Sequence, residues 1–160
     1  LAIKGSLYVI VAKKFQELWV ETLMKTGWFA DDRRGCFFMA KILIVDDEPA
    51  IRFLITATLE DEGYELFEAV DGREAALLVK DVQPDLIILD VMMPGLTGYE
   101  LCARLKQDPA TQEIVIIMLT AKGQEQDRRY SEQAGADYYL RKPFSPMELN
   151  GLVASCLFKR

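Results

Sequence analysis

From Met39 onward, short apolar runs and amphipathic stretches alternate five times, and few folds accept that order. KILIV (41–45) is followed by EPAIRFLITATLEDEG (48–63), which reads as a helix. Pro49 suits a first turn, Ile51, Leu54, Ile55 and Leu59 recur at helical spacing, and Gly63 marks a stop. The strand-like YELFEAV (64–70) precedes the helical GREAALLVKDV (72–82). DLIILD (85–90) leads through the loop MMPGLTG (92–98) into the helical YELCARLKQ (99–107). IVIIMLT (114–120) precedes a polar helix, GQEQDRRYSEQAG (123–135). DYYLRKPF (137–144) runs from a strand into a Lys-Pro turn before SPMELNGLVASCLF (145–158), a closing helix with a Ser cap.

DLIILD and IVIIMLT are apolar on both faces, as strands covered on both sides must be. Five strand–helix pairs in strict alternation imply a parallel sheet with helices on both faces. Right-handed crossovers leave the flavodoxin-like order 2-1-3-4-5 as the expected topology at this length. The predicted architecture is therefore a five-stranded, three-layer α/β sandwich over residues 39–160. Residues 1–38 stand outside the alternation. SLYVIVA there suits a strand, and KKFQELWVETLMKTGWF an amphipathic helix with Phe15, Leu18, Trp19 and Leu23 on one face. Met39-Ala40-Lys41 resembles a start of translation. The leader is thus read as upstream read-through or an added segment, with a docking or dimerisation element as the alternative.

Charge is unevenly distributed. Residues 1–38 carry +2 and the remaining 122 carry −8, with no basic stripe. Direct nucleic-acid binding is disfavoured on that ground. No apolar run approaches the roughly 18 residues of a membrane span, and no signal-peptide layout opens the chain. Cys36, Cys102 and Cys156 lack CxxC spacing, which favours thiols in a reducing cytoplasm. Histidine is absent, which removes Ser-His-Asp triads, histidine metal sites and any autophosphorylating histidine.

In an open parallel sheet, ligands bind at the carboxyl ends of the strands. Asp46 and Asp47 follow the first predicted strand, Asp90 closes the third, Thr120 the fourth and Lys142 the fifth. Each alone reads as a cap or a solvated side chain; together on one rim they do not. Adjacent carboxylates about 4 Å apart repel by roughly 4 kcal/mol at a surface-like dielectric, so a cation is expected among them. Three carboxylates without histidine favour a hard ion, Mg²⁺ before Mn²⁺. A nucleophilic Asp beside Mg²⁺ and a Lys suits attack on phosphorus, with a Thr hydroxyl available to the phosphoryl oxygens.

VDDE at 45–48, LDVMMPGLTG at 89–98, LTA at 119–121 and GADYYLRKPF at 135–144 stand in one register. With them, residues 39–160 closely resemble the receiver domain of bacterial two-component response regulators. The resemblance implies that Asp90 is the phosphoacceptor. It also implies that Asp47 and Asp90 ligate Mg²⁺ directly, Asp46 mainly through water and Met92 through its backbone carbonyl. Lys142 would pair with phosphoryl oxygens, and its bond to Pro143 would be cis. Thr120 and Tyr139 match the family's coupled switch pair, with Ala121 leaving Thr120 room to move. Met92 and Lys122 occupy the positions that tune acyl-phosphate hydrolysis; neither orients a water, which implies a phosphorylated state that is not especially short-lived.

The implied function is a cytoplasmic phosphorylation switch, charged by a partner histidine kinase or histidine phosphotransfer protein. Its output face would combine the fourth predicted helix (123–135), the fifth strand and the fifth helix, acting on a downstream protein or output domain. KPFSPMEL resembles the branch with winged-helix DNA-binding domains, whose receivers dimerise through that face. Leu152, four residues after Glu148, stands where that branch usually has an arginine, so a homodimer here would be more apolar. The stretch ends at Arg160, read as a stand-alone or excised receiver. A turnover phosphatase would instead place a DxD nucleophile after the first strand, and a flavin protein would need a Ser/Thr/Gly-rich loop there. A receiver fold retained only for binding would lack an acid or the lysine.

Overall fold

Parallel pairing of five short strands organises the chain in the order β2-β1-β3-β4-β5. The structure, a computed structural model, describes residues 39–121 and 133–157. The leader at 1–38, Lys122 and nearly all of the helix predicted over 123–135 lie outside those residues. The elements are β1 (Lys41–Val45), α1 (Pro49–Leu59), β2 (Glu65–Ala69), α2 (Gly72–Val82) and β3 (Leu86–Asp90). They continue with α3 (Gly98–Gln107), β4 (Val115–Thr120), β5 (Tyr138–Arg141) and α4 (Pro146–Leu157).

The pattern of two faces per strand separates two apolar layers. Leu43, Val45, Ile87, Leu89, Ile116 and Met118 meet α2 through Ala75 and Val79, and α3 through Leu101, Cys102 and Leu105. Ile42, Ile44, Leu86, Ile88, Ile117 and Leu119 meet α1 through Ile55 and Leu59, and α4 through Leu149, Val153 and Cys156. Every residue of β3 is buried. Fully burying one Leu or Ile contributes about 1.5–3 kcal/mol, so the central strands anchor whatever their ends carry. The thiols of Cys102 and Cys156 are both buried.

Local chemistry fixes where the helices begin and end. Asp71 accepts the Arg73 and Glu74 backbone N–H groups, both at 2.8 Å, and caps α2. Thr97 and Glu100 form a reciprocal capping box on α3, and Ser145 and Glu148 do the same before α4. Such boxes satisfy N–H groups that the first helical turn leaves free. The long helix predicted to Gly63 becomes a 3-10 turn at Glu60–Glu62. Gly63 then ends it with φ +79°, a conformation glycine adopts at little cost.

One boundary differs from the sequence expectation for a steric reason. Gly98, placed in the loop by its residue type, is the first residue of α3. A Cβ there would lie 2.1 Å from the Asp90 carbonyl oxygen. The helix therefore starts directly against the end of β3, and only glycine fits.

Candidate functional site

Register brings the strand ends level. Val45 pairs with Leu89, Asp90 with Leu119 and Thr120 with Arg141. Residues just past these pairs emerge at one edge of the sheet. Two-residue alternation puts Asp90 in line with Leu86 and Ile88, on the side of α1 and α4.

Lys142 bridges two of the acids. Its Nζ lies 2.7 Å from Asp46 Oδ2 and 2.8 Å from Asp90 Oδ1. Asp46 is 0% exposed and Asp90 5%. Their remaining oxygens are also occupied: Asp46 Oδ1 accepts the Glu48 N–H at 2.8 Å, and Asp90 Oδ2 accepts the Met92 N–H at 2.9 Å. The Lys142 N–H donates to the Thr120 carbonyl at 2.7 Å, which fixes the root of the lysine beside β4. The Lys142–Pro143 peptide bond is cis.

Asp47 is exposed, unlike its neighbour. One oxygen from each of Asp46, Asp47 and Asp90 nevertheless falls within 4.8 Å of the others. Of the adjacent carboxylates, Asp46 is buried against the lysine and Asp47 remains exposed. The lysine, rather than a metal alone, offsets much of the charge that the sequence left uncompensated. Three carboxyl groups thus face one ammonium, a set of groups that suits a cation. All its donors are hard oxygens, so the arrangement could hold a divalent metal ion.

Burial pushes the Asp90 carboxyl above its ordinary value, opposed by the Lys142 hydrogen bond and charge and reinforced by Asp46. Burial also works against the Lys142 ammonium, but hydrogen bonds and charge from Asp46 and Asp90 outweigh it and leave its pKa raised. The two directions agree physically, because one lysine serves two acids. It stays charged, and Asp90 is left short of compensation.

The other predicted residues fall around this centre. Thr120 is buried at the end of β4. Met92 engages Asp90 through its N–H and exposes 67% of its surface. Tyr138 packs with the α1/α4 layer, whereas adjacent Tyr139 is 42% exposed. Leu152 packs partly against its own core. Glu148 serves the cap of α4.

Two residues escaped the sequence reading. Arg52 on α1 donates from Nη1 to the Asp46 carbonyl at 2.7 Å and from Nε to Glu68 at 3.2 Å. Gly98 allows α3 to abut Asp90. Arg52 carried no signal beyond its place in a helical pattern, since its partners lie in another element and on the backbone. Gly98 carried a weak one, a glycine directly after the Thr that opens a Thr-x-x-Glu cap.

A family model described as the response regulator receiver domain matches residues 42–154. The phosphate regulon transcriptional regulatory protein PhoB of Pseudomonas aeruginosa is 53% identical over 68% of this chain and 47% of its own length. The alkaline phosphatase synthesis transcriptional regulatory protein PhoP of Bacillus subtilis is 46% identical over 73% of this chain and 48% of its own. The chain spans about half the length of the curated relatives it matches. Among solved structures, chemotaxis protein CheY4 of Vibrio cholerae superposes with TM-score 0.70 at 36% identity, over 74% of this chain and 99% of that one. A CheY-like response regulator receiver domain protein of Methanospirillum hungatei gives TM-score 0.71 at 30% identity, over 76% and 96%.

Proposed function

This chain belongs to the response regulator receiver domain family, a family of signalling modules, and from that premise we propose that residues 39–160 act as a phosphorylation switch charged on Asp90. The observation that carries the reading is the Lys142 ammonium held 2.7 Å and 2.8 Å from two buried acids of different strands, with Asp47 in reach of both acids. The chain has no histidine, so the phosphoryl donor is a phosphohistidine on a partner, a histidine kinase or histidine phosphotransfer protein.

In the proposed step an Asp90 carboxylate oxygen attacks phosphorus, the P–O bond forms and the P–N bond breaks. The bonding pair returns to the imidazole, which leaves. Lys142 faces the growing charge on the phosphoryl oxygens without giving up its proton, as its raised pKa allows. Mg²⁺, with Mn²⁺ as substitute, would be held by Asp47 and Asp90, by Asp46 through water and by the Met92 carbonyl; when bound it neutralises phosphoryl charge. The Thr120 hydroxyl then takes a phosphoryl oxygen, and Tyr139 shifts to alter the face containing β5 and α4. Phosphate on Asp90 adds about −2 charge, and that favours one of two existing states. The domain works once per phosphorylation, in the cytoplasm, rather than as a turnover enzyme. Its partner downstream is a protein or output domain, with a homodimer through the same face as one form of output.

Intact mass after acetyl phosphate treatment tests this. One phosphoryl mass is expected with Mg²⁺ and none with EDTA or in Asp90→Asn. An equal gain in all three would overturn the reading.

A further inference from the structure

We infer that Arg52 is a positioning residue for Asp47, acting through the Asp46–Asp47 peptide; the inference rests on the metal-site reading above. Asp46 is held at every polar atom. Its N–H donates to the Ala69 carbonyl of β2 at 3.3 Å. Its carboxylate meets Lys142 and the Glu48 N–H, and its carbonyl accepts Arg52 Nη1 at 2.7 Å. The last contact governs the next residue. A peptide unit is planar, so fixing the Asp46 oxygen fixes the plane from which Asp47 departs. Asp47 lies outside the buried cluster and depends on that plane for its direction.

Arg52 is itself fixed. Its side chain is 12% exposed. Glu68 on β2 takes Nε at 3.2 Å through Oε2 and the Thr56 hydroxyl at 2.9 Å through Oε1. Thr56 and Arg52 sit one helical turn apart on α1, so α1 and β2 share one carboxylate. Glu68 also neutralises the guanidinium, which would otherwise repel a cation bound beside Asp46. A relay from Thr56 through Glu68 and Arg52 to the Asp46 carbonyl thus holds the metal-facing turn without opposing the metal. Outer contacts that orient metal ligands typically change affinity 10–100-fold when removed.

The full chain is tested by Mg²⁺ calorimetry and by amide exchange of metal-free protein. Arg52→Met is expected to bind Mg²⁺ about tenfold or more weakly and to exchange faster the Glu48 amide, which donates to Asp46 Oδ1 at 2.8 Å, with Arg52→Lys between it and the wild type. Ile55→Val, a core change on the same helix, is expected to lower the melting temperature with Mg²⁺ affinity unchanged. Wild-type affinity in Arg52→Met, or an equal affinity loss in Ile55→Val, would overturn the inference. Should Arg52→Met not fold, Glu68→Gln decides: a severalfold loss of affinity supports the relay and no loss overturns it. A wild-type chain that binds no Mg²⁺ defeats the metal-site reading instead, and the Glu48 amide still decides whether Arg52 holds the peptide.

Discussion

The Lys142 ammonium lies 2.8 Å from the Asp90 carboxylate, and that contact joins the last strand of the sheet to its centre. Lys142 also meets Asp46, so one cation secures two acids that are almost wholly buried. Replacing Lys142 by Met leaves both acids without it. Breaking a buried pair in this way costs about 3–5 kcal/mol. We expect urea unfolding of metal-free Lys142→Met to show a loss near the lower end, because the lysine is 19% exposed. Added Mg²⁺ should restore part of it.

Divalent metal should stabilise the wild-type chain by mass action. At a hundredfold excess over the dissociation constant the gain is about 2.7 kcal/mol, read as a rise in melting temperature. Asp47→Asn should lose most of that rise while melting close to the wild type without metal, because Asp47 is exposed.

Two glycine substitutions should move stability in opposite directions. Gly98→Ala brings a methyl to 2.1 Å from the Asp90 carbonyl oxygen, a backbone atom that cannot rotate away. Overpacking of this kind costs about 1–3 kcal/mol or more, and we expect at least the upper figure. At Gly151, inside α4, a methyl would meet nothing within 4 Å, so Gly151→Ala should stabilise by about 0.5–1 kcal/mol. Denaturant midpoints of both variants check the pair.

Acid sensitivity should trace in part to the capping boxes. Glu100 is held below its ordinary 4.5 by hydrogen bonds from the backbone and hydroxyl of Thr97. Glu148 is likewise held below 4.5 by Ser145. A carboxyl with a lowered native pKa binds fewer protons folded than unfolded. Its contribution is therefore complete above 4.5 and is lost as pH falls through the lowered value. Glu100→Gln/Glu148→Gln should show a shallower loss of urea midpoint than wild type across that acid window. An unchanged slope would assign the acid sensitivity elsewhere.

Legibility followed the range of the interaction. β3 and β4 were readable because strands covered on both faces are apolar throughout, and the cap at Ser145 because Ser-x-x-Glu is a local pattern; the Thr97 cap went unread together with the helix start it marks. That Asp46, Asp90 and Lys142 would meet was readable because a parallel sheet exposes its carboxyl ends together. That Asp46 is buried while Asp47 stays exposed was not readable, since Asp46 pairs with Lys142, which arrives from the far end of the chain. Arg52 stayed hidden because it binds a backbone oxygen, which leaves no trace in residue type. Gly98 was misplaced because a glycine required by a neighbouring carbonyl looks like a glycine required by a turn.

The most direct measurement is chemical trapping of the modified residue. The full chain is treated with acetyl phosphate and Mg²⁺, reduced with borohydride and sequenced by peptide mass spectrometry. Homoserine, the reduction product of an aspartyl phosphate, is expected at position 90. Homoserine at position 46 or 47, or at none of the three, would contradict it.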